Sequence, residues 1–221
     1  MLAKSECVQW IIECGVMAAA RLPSAATALD ATEALLEGGV SVIEFSMTMP
    51  DALEAIQSVT AHMGGQVLVG VGTVLDPETA RAAILNGAQF VVSATISAAV
   101  IEMAHRYGTA AIPGALSPTE VLTAYECGAE LVKVFPAGNL GPDYIRAVLA
   151  PLCQVSLMVD GGVTLHNARD FIKAGAVALG VGRHLVDFRA VESGDYGRLT
   201  ELARGFVTAV NEARAELGSA D

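Results

Sequence analysis

Short, almost continuously apolar runs recur about every 20 to 25 residues along the chain, bounded by glycine, proline or polar clusters. They are Gly15–Ala20, Val40–Phe45, Val67–Val71, Gln89–Ser93, Thr109–Pro113, Leu131–Phe135, Val155–Val159 and Val177–Val181. Each is too short for a helix and lacks the alternation of a half-exposed strand. That pattern predicts parallel strands covered on both faces. The stretches between them are amphipathic and carry helix-start signals. Ser24 opens SAATALDATEALLEGG, and Gly38-Gly39 stops it. Asp76-Pro77-Glu78 opens a helix that ends near Asn86-Gly87. Ser117-Pro118-Thr119-Glu120 reads as a capping box with proline at the first helical position. Thr164 starts a further helix that ends near Gly175.

Eight strands alternating with helices leave two architectures, an open doubly wound sheet or a closed barrel. No GxGxxG turn or switch point marks the open form, so the expectation is an α/β fold, a (β/α)8 TIM barrel. The 221 residues suit one such domain spanning 1–221, since a compact barrel needs roughly 200 to 250. A short first helix, Glu6–Glu13, precedes strand one and is expected to cap the bottom of the barrel. The terminal Gly218-Ser219-Ala220-Asp221 reads as a frayed tail.

Composition and charge narrow the partners. Apolar residues make up 53% of the chain and aromatics only 5%, which suits strands packed under Ala-rich helices. The formal charge is −11, with no basic run, so neither nucleic acid nor an anionic membrane is an expected partner. No stretch reaches the roughly 18 to 20 apolar residues of a membrane span, and MLAKSECVQWIIECG is not a secretory signal. Cys7, Cys14, Cys127 and Cys153 match no zinc spacing and form no CxxC pair; they read as reduced thiols of a cytoplasmic protein. No metal site and no cofactor are expected.

A barrel of this kind carries its chemistry at the carboxyl ends of its strands. Lys133 is the telling residue there. The chain holds three lysines, and this one lies between valines in LVKVF, where charge is costly. Desolvation favours the neutral amine, and a neutral amine is what attacks a carbonyl, so Lys133 is a candidate Schiff-base nucleophile. The alternative is a structural ion pair with Glu44. Glu44 interrupts the otherwise uncharged VSVIEF and is a candidate proton shuttle; its alternative is a solvated carboxylate at the rim. The glycines Gly161, Gly162, Gly180 and Gly182 follow strands seven and eight, where barrels often cradle phosphate, and Arg183 adds a cation. Tight-turn geometry explains those glycines equally well.

With these residues placed, the sequence resembles the 2-keto-3-deoxy-6-phosphogluconate (KDPG) / 4-hydroxy-2-oxoglutarate aldolase family. The likeness runs from about Cys7 to Ala213. It is carried by EGGVSVIEF, VGVGTVL, NGAQFVVS, AIPGALSPTE, CGAELVKVFPA and DGGV…ALGVG. The resemblance implies a metal-free class I aldolase, a homotrimer, cutting a 4-hydroxy-2-oxo acid to pyruvate and an aldehyde in sugar-acid breakdown of the Entner-Doudoroff kind. It implies Lys133 as the Schiff-base residue and Glu44 as the general acid/base. Gly72, Thr73, Ser93, Pro113 and Phe135 would line the site, and Gly161, Gly162 and Gly182 would hold a distal phosphate.

The sequence departs from that family pattern at four places. Thr48 stands where many members have a carboxylate-binding arginine, and Arg21 after strand one is expected to take its job. Ala94 replaces a proline, Asp160 a threonine, and Arg183 a serine. Asp160 beside a phosphate cradle would repel a dianion by about 1 kcal/mol in water and more if shielded. Arg183 would offset that, or Asp160 would bind a sugar hydroxyl. Two other readings use the same barrel. VDGGV also looks like the phosphate loop of a metal-dependent phosphosugar epimerase, although His62, His105 and His166 fall in predicted helices and His184 follows Arg183. The four departures also fit a non-catalytic barrel that binds a small acid.

Overall fold

The computed structural model describes residues 2–218; the expected tail residues Ser219, Ala220 and Asp221 lie outside the described residues, and Gly218 ends a helix. In chain order the strands are β1 (Val16–Ala20), β2 (Val42–Ser46), β3 (Leu68–Gly72), β4 (Phe90–Val92), β5 (Ala110–Ile112), β6 (Gly114–Ala115), β7 (Val132–Val134), β8 (Leu157–Val159) and β9 (Ala178–Val181). The helices are α1 (Lys4–Cys14), α2 (Ala28–Glu37), α3 (Ala52–Met63), α4 (Pro77–Leu85), α5 (Ala98–Arg106), α6 (Pro118–Glu126), α7 (Pro142–Leu149), α8 (Ala168–Lys173), α9 (Phe188–Ser193) and α10 (Tyr196–Gly218).

All strand pairings are parallel, in the order β5-β4-β3-β2-β1-β9-β8-β7-β6. The two edges, β5 and β6, are halves of one stave separated by Pro113 alone. Proline has no N–H for the ladder, so the stave breaks there. Its carbonyl still accepts from Lys133 N at 2.9 Å, while Ile112 O accepts from Ser93 N on the other side at 3.2 Å. The nine described strands therefore form eight staves, and the (β/α)8 barrel expected from the sequence is the fold. Strand ends differ from the predicted runs by one or two residues, the usual scatter for such boundaries.

Because side chains alternate, each stave sends every second residue into the ring. Met17, Val42, Leu68, Phe90, Val92, Ala110, Ile112, Leu131, Met158 and Ala178 fill the interior toward the amino end. Cys7 and Ile11 of α1 pack into the same cluster, so the first helix closes the floor as expected. Ion pairing anchors it, with Lys4 Nζ 2.6 Å from Glu130 Oε1. The intervening residues, such as Val16, Ile43, Val69, Val132 and Leu179, pack outward under the helices in a second core.

The helix-start signals differ in outcome. Asp76 caps α4 by accepting from Thr79 N at 2.6 Å, and the Ser117/Glu120 box opens α6. The helix expected from Thr164 begins four residues later, at Ala168. Asn167 folds back first, its Oδ1 accepting from Thr164 N and its Nδ2 donating to Gly162 O. Residues 165–167 are thus a turn, which also takes His166 out of the predicted helix. Among the described residues no helix is long and apolar enough to cross a membrane.

Candidate active site

The same alternation that fills the floor brings polar residues into the carboxyl-end mouth. On β2 the inward positions are Val42, Glu44 and Ser46; on β7 and just beyond they are Leu131, Lys133 and Phe135; around β8 they are Met158 and Asp160. Glu44 and Lys133 are only 2% and 4% exposed. Small residues on the neighbouring staves leave them room. A Cβ on Gly72 would lie 1.5 Å from Glu44 Oε1, and one on Gly180 would lie 2.9 Å from the Asp160 Cβ. Gly72 is thus glycine because Glu44 lies across it.

Lys133 Nζ lies 3.2 Å from Asp160 Oδ2 and 5.3 Å from the centre of the Phe135 ring. The ion pair weighed from sequence between Lys133 and Glu44 is therefore made with Asp160 instead. Asp160 also accepts from Gly161 N through Oδ1 at 2.6 Å. Its carboxylate thus bridges the two, one oxygen on the lysine and the other on the first N–H of the glycine cradle. Arg183 is exposed and, among the described residues, makes no ion pair; the cation beside Asp160 is Lys133.

Glu44 is a buried carboxyl whose Oε2 has no hydrogen-bond partner among the described residues. Burial pushes its pKa up. Lys133 opposes the rise, Asp160 reinforces it and Arg21 opposes it again, and the net direction is upward. A rim carboxylate bathed in solvent, the alternative drawn from sequence, is thereby excluded.

A chain of hydroxyls runs beside Glu44. Ser46 Oγ lies 2.8 Å from both Thr48 Oγ1 and Thr73 Oγ1, and Arg21 Nε donates to Thr48 Oγ1 at 3.3 Å. Arg21, Thr48 and Thr73 thus come together as one patch. Thr73 adopts φ 59, a left-handed conformation that turns the chain sharply at the end of β3. Ser46, fully buried, was missed from sequence although it lies two residues after Glu44 and must share its face. Ser93 stays apart from this patch, its hydroxyl donating to Thr95 O at 2.7 Å. Pro113 contributes its carbonyl to β7 rather than a side-chain contact.

The glycines after β8 and β9 form the far side of the mouth. Gly161 and Gly162 have φ 79 and 86. A Cβ on Gly162 would lie 2.9 Å from Gly138 Cα, and one on Gly182 would lie 3.6 Å from the Arg21 guanidinium. The Gly161 N–H is occupied by Asp160. Among the described residues no group of three His, Cys, Asp or Glu side chains is placed to hold a metal ion.

A closed barrel whose mouth holds a buried amine, a carboxylate 3.2 Å from it and a second buried carboxyl has the groups that Schiff-base and proton-transfer chemistry need. The profile of the KDPG and KHG aldolases matches residues 9–202. The chain belongs to that aldolase family. It is 34% identical to the 2-dehydro-3-deoxy-6-phosphogalactonate aldolase of Escherichia coli K12 over 207 residues, 93% of this chain and 99% of that one. It is 33% identical to the KHG/KDPG aldolase of the same organism over 178 residues, 80% of this chain and 83% of that one. Among solved structures it is similar to the native KDPGal structure, with a TM-score of 0.84 and 32% identity over 90% of this chain and 96% of the other.

Proposed function

We propose that the protein is a class I aldolase in which Lys133 forms a Schiff base with a 4-hydroxy-2-oxo acid and releases pyruvate and an aldehyde. The observation that carries this reading is a buried amine in a mouth that also holds the buried Glu44 carboxyl, whose Oε2 has no hydrogen-bond partner among the described residues. Burial raises the pKa of this carboxyl, which suits it to carry a proton to and from a substrate.

The steps follow from that geometry. Lys133 Nζ, once its resting ammonium proton has passed to water, adds to C2 of the 2-oxo acid; a second amine proton moves to the new oxygen, and Glu44 protonates the departing hydroxyl as water. The resulting iminium withdraws electrons from the C3–C4 bond. Glu44, now a carboxylate, takes the proton of the C4 hydroxyl; C3–C4 breaks, the aldehyde leaves, and an enamine remains. Glu44 returns the proton to C3, and water releases pyruvate from Lys133. The iminium is the electron sink, so these residues need no metal and no cofactor. Arg21, with Thr48 and Thr73, is the proposed seat of the substrate carboxylate, because its guanidinium stands at the same patch of hydroxyls. Phe135 walls the amine. Gly72 and Ser93 border the mouth, and Pro113 sets the strand beside Lys133.

The relatives' names give KDPG, KHG and 2-dehydro-3-deoxy-6-phosphogalactonate, so the proposed substrate is KDPG or a close analogue, with glyceraldehyde 3-phosphate as the aldehyde. Gly162, Gly182 and Arg183 are the proposed phosphate seat. Gly161 belongs to it only if its N–H leaves Asp160. The setting is cytoplasmic, in keeping with four free thiols. One domain spans 1–221 and assembles as a homotrimer; exposed Leu75, just before α4, and Leu85, at its end, supply apolar surface for that contact. Light scattering of the purified chain reads the assembly, and a monomeric mass removes it.

The decisive experiment is borohydride reduction in the presence of pyruvate, followed by peptide mass analysis. The adduct is expected on the peptide that contains Lys133 and is expected to vanish in Lys133→Ala. Labelling elsewhere, or none in the unaltered protein, ends the Schiff-base reading.

A further inference from the structure

Asp160 takes no part in the bond-making and proton-transfer steps of the Schiff-base cycle. It sits at a position where a neutral threonine was expected, yet it is the nearest charged group to the reacting nitrogen. Lys133 Nζ and Asp160 Oδ2 are 3.2 Å apart, with side chains 5% and 13% exposed. The pose of Asp160 is held from several sides. Its Oδ1 accepts from Gly161 N, its backbone N–H donates to Val134 O at 3.0 Å, and its carbonyl accepts from Ala137 N at 2.8 Å. Gly180, opposite, would collide with it if it carried a Cβ.

Resting on the Schiff-base reading above, we propose that Asp160 is a positioning residue, the fixed counterion of the Lys133 nitrogen: it pairs the ammonium before substrate arrives and the iminium after water leaves. Glu44 is thereby released from charge pairing and keeps its unbonded oxygen for proton transfer. The groups facing the lysine support this division. Glu44 comes from β2 and Asp160 from the end of β8, while Arg21 stands at the end of β1. Among the described residues the inward positions of β3, β6 and β9 next to them are Gly70, Gly72, Gly114 and Gly180, which carry no charge. A buried cation with one carboxylate fixed beside it is held in place, whereas a carboxyl that had to serve as both counterion and proton carrier would lose its partner at each turnover. Arg21 adds a positive charge at the same mouth, which suits an anionic 2-oxo acid despite the acidic chain as a whole.

The test uses pyruvate alone, which has no C4 hydroxyl for Asp160 to bind. Deuterium exchange at pyruvate C3 is followed by NMR against pH in the unaltered protein and in Asp160→Asn and Asp160→Thr. Removing a charge within about 4 Å changes a neighbour's titration by roughly one to three pH units. The ascending limb of the exchange profile is therefore expected to move down by about one unit or more in both variants. Borohydride-trapped adduct on Lys133 is expected to fall as well, because the iminium loses its partner. An unmoved limb in either folded variant, with the adduct still formed, overturns the proposal and leaves the Schiff base standing. So does a variant that alters only the KM for the full 4-hydroxy-2-oxo acid, since that marks Asp160 as a hydroxyl ligand. If the unaltered protein forms no adduct, the Schiff-base reading fails first and takes this proposal with it.

Discussion

Two glutamates, Glu130 at the floor of the barrel and Glu44 at its mouth, lie within a few strands of each other and meet opposite fates. Burial works against the charge of both. At the floor, hydrogen bonds from Ala111 N, Lys4 and His105 outweigh it, and Glu130 ends below the usual carboxylate range. At the mouth, Lys133 and Arg21 do not outweigh burial and the Asp160 charge, and Glu44 ends above that range. The floor gives its carboxylate three donors; the mouth leaves Oε2 with none among the described residues. One arrangement ties α1 to the barrel. The other keeps a proton available, at a cost in stability.

Substitutions at the two ends test how far this contrast goes. The largest effect is expected at Lys133. Its replacement by alanine removes the nucleophile and should lower turnover on the order of 10⁴-fold or more. Glu44→Gln comes next: kcat should fall by about 10² to 10⁴, while the adduct with pyruvate still forms slowly. The same variant should be more stable than the unaltered protein at neutral pH, by about 1 kcal/mol in urea unfolding. The sign follows from the upward shift. A carboxyl with a raised folded-state pKa contributes fully below its unfolded value, about 4.3, and that contribution is lost as pH rises through the folded value. The stability gap should therefore widen from pH 5 to pH 8. A gap that is flat across this range would mean that Glu44 is ionised and paired.

Glu130→Ala sharpens the other side. It strands Lys4, His105 and the Ala111 N–H, and should lower the unfolding free energy by roughly 2 to 3 kcal/mol with kcat changed less than about twofold. Here the sign reverses. The contribution of Glu130 is present above the unfolded value and is lost as pH falls through the depressed folded one, so the variant and the unaltered protein should converge in acid. A large fall in kcat for this variant would join the two ends that the comparison separates.

Much of the fold and of the site is legible in the amino-acid sequence. The apolar runs mark the staves because strands buried on both faces need continuous hydrophobicity. Lys133 and Glu44 stand out because charge inside such a run has few uses. What the sequence does not display is set by geometry between elements. Asp160 meets Lys133 because β7 and β8 pair Lys133 with Met158, which places Asp160 one inward step higher. Register between strands is not written in either strand alone. The break at Pro113 is visible as a residue but not as the seam where the ring closes. Ser46 is within reach, since counting by two from Glu44 arrives at it. The helix expected from Thr164 starts late because Asn167 competes for its first N–H.

The alternation of each stave carries a lesson for altering this protein. Along β2, Val42, Glu44 and Ser46 face the lumen, while Ile43 and Phe45 belong to the packing under the helices. Two messages are interleaved on one strand, one for reactivity and one for folding, residue by residue. A library confined to Glu44 and Ser46 can rewrite the first while leaving Ile43, Phe45 and the floor residue Val42 to the second. A single inserted residue would exchange them, and would place isoleucine where the proton carrier now stands.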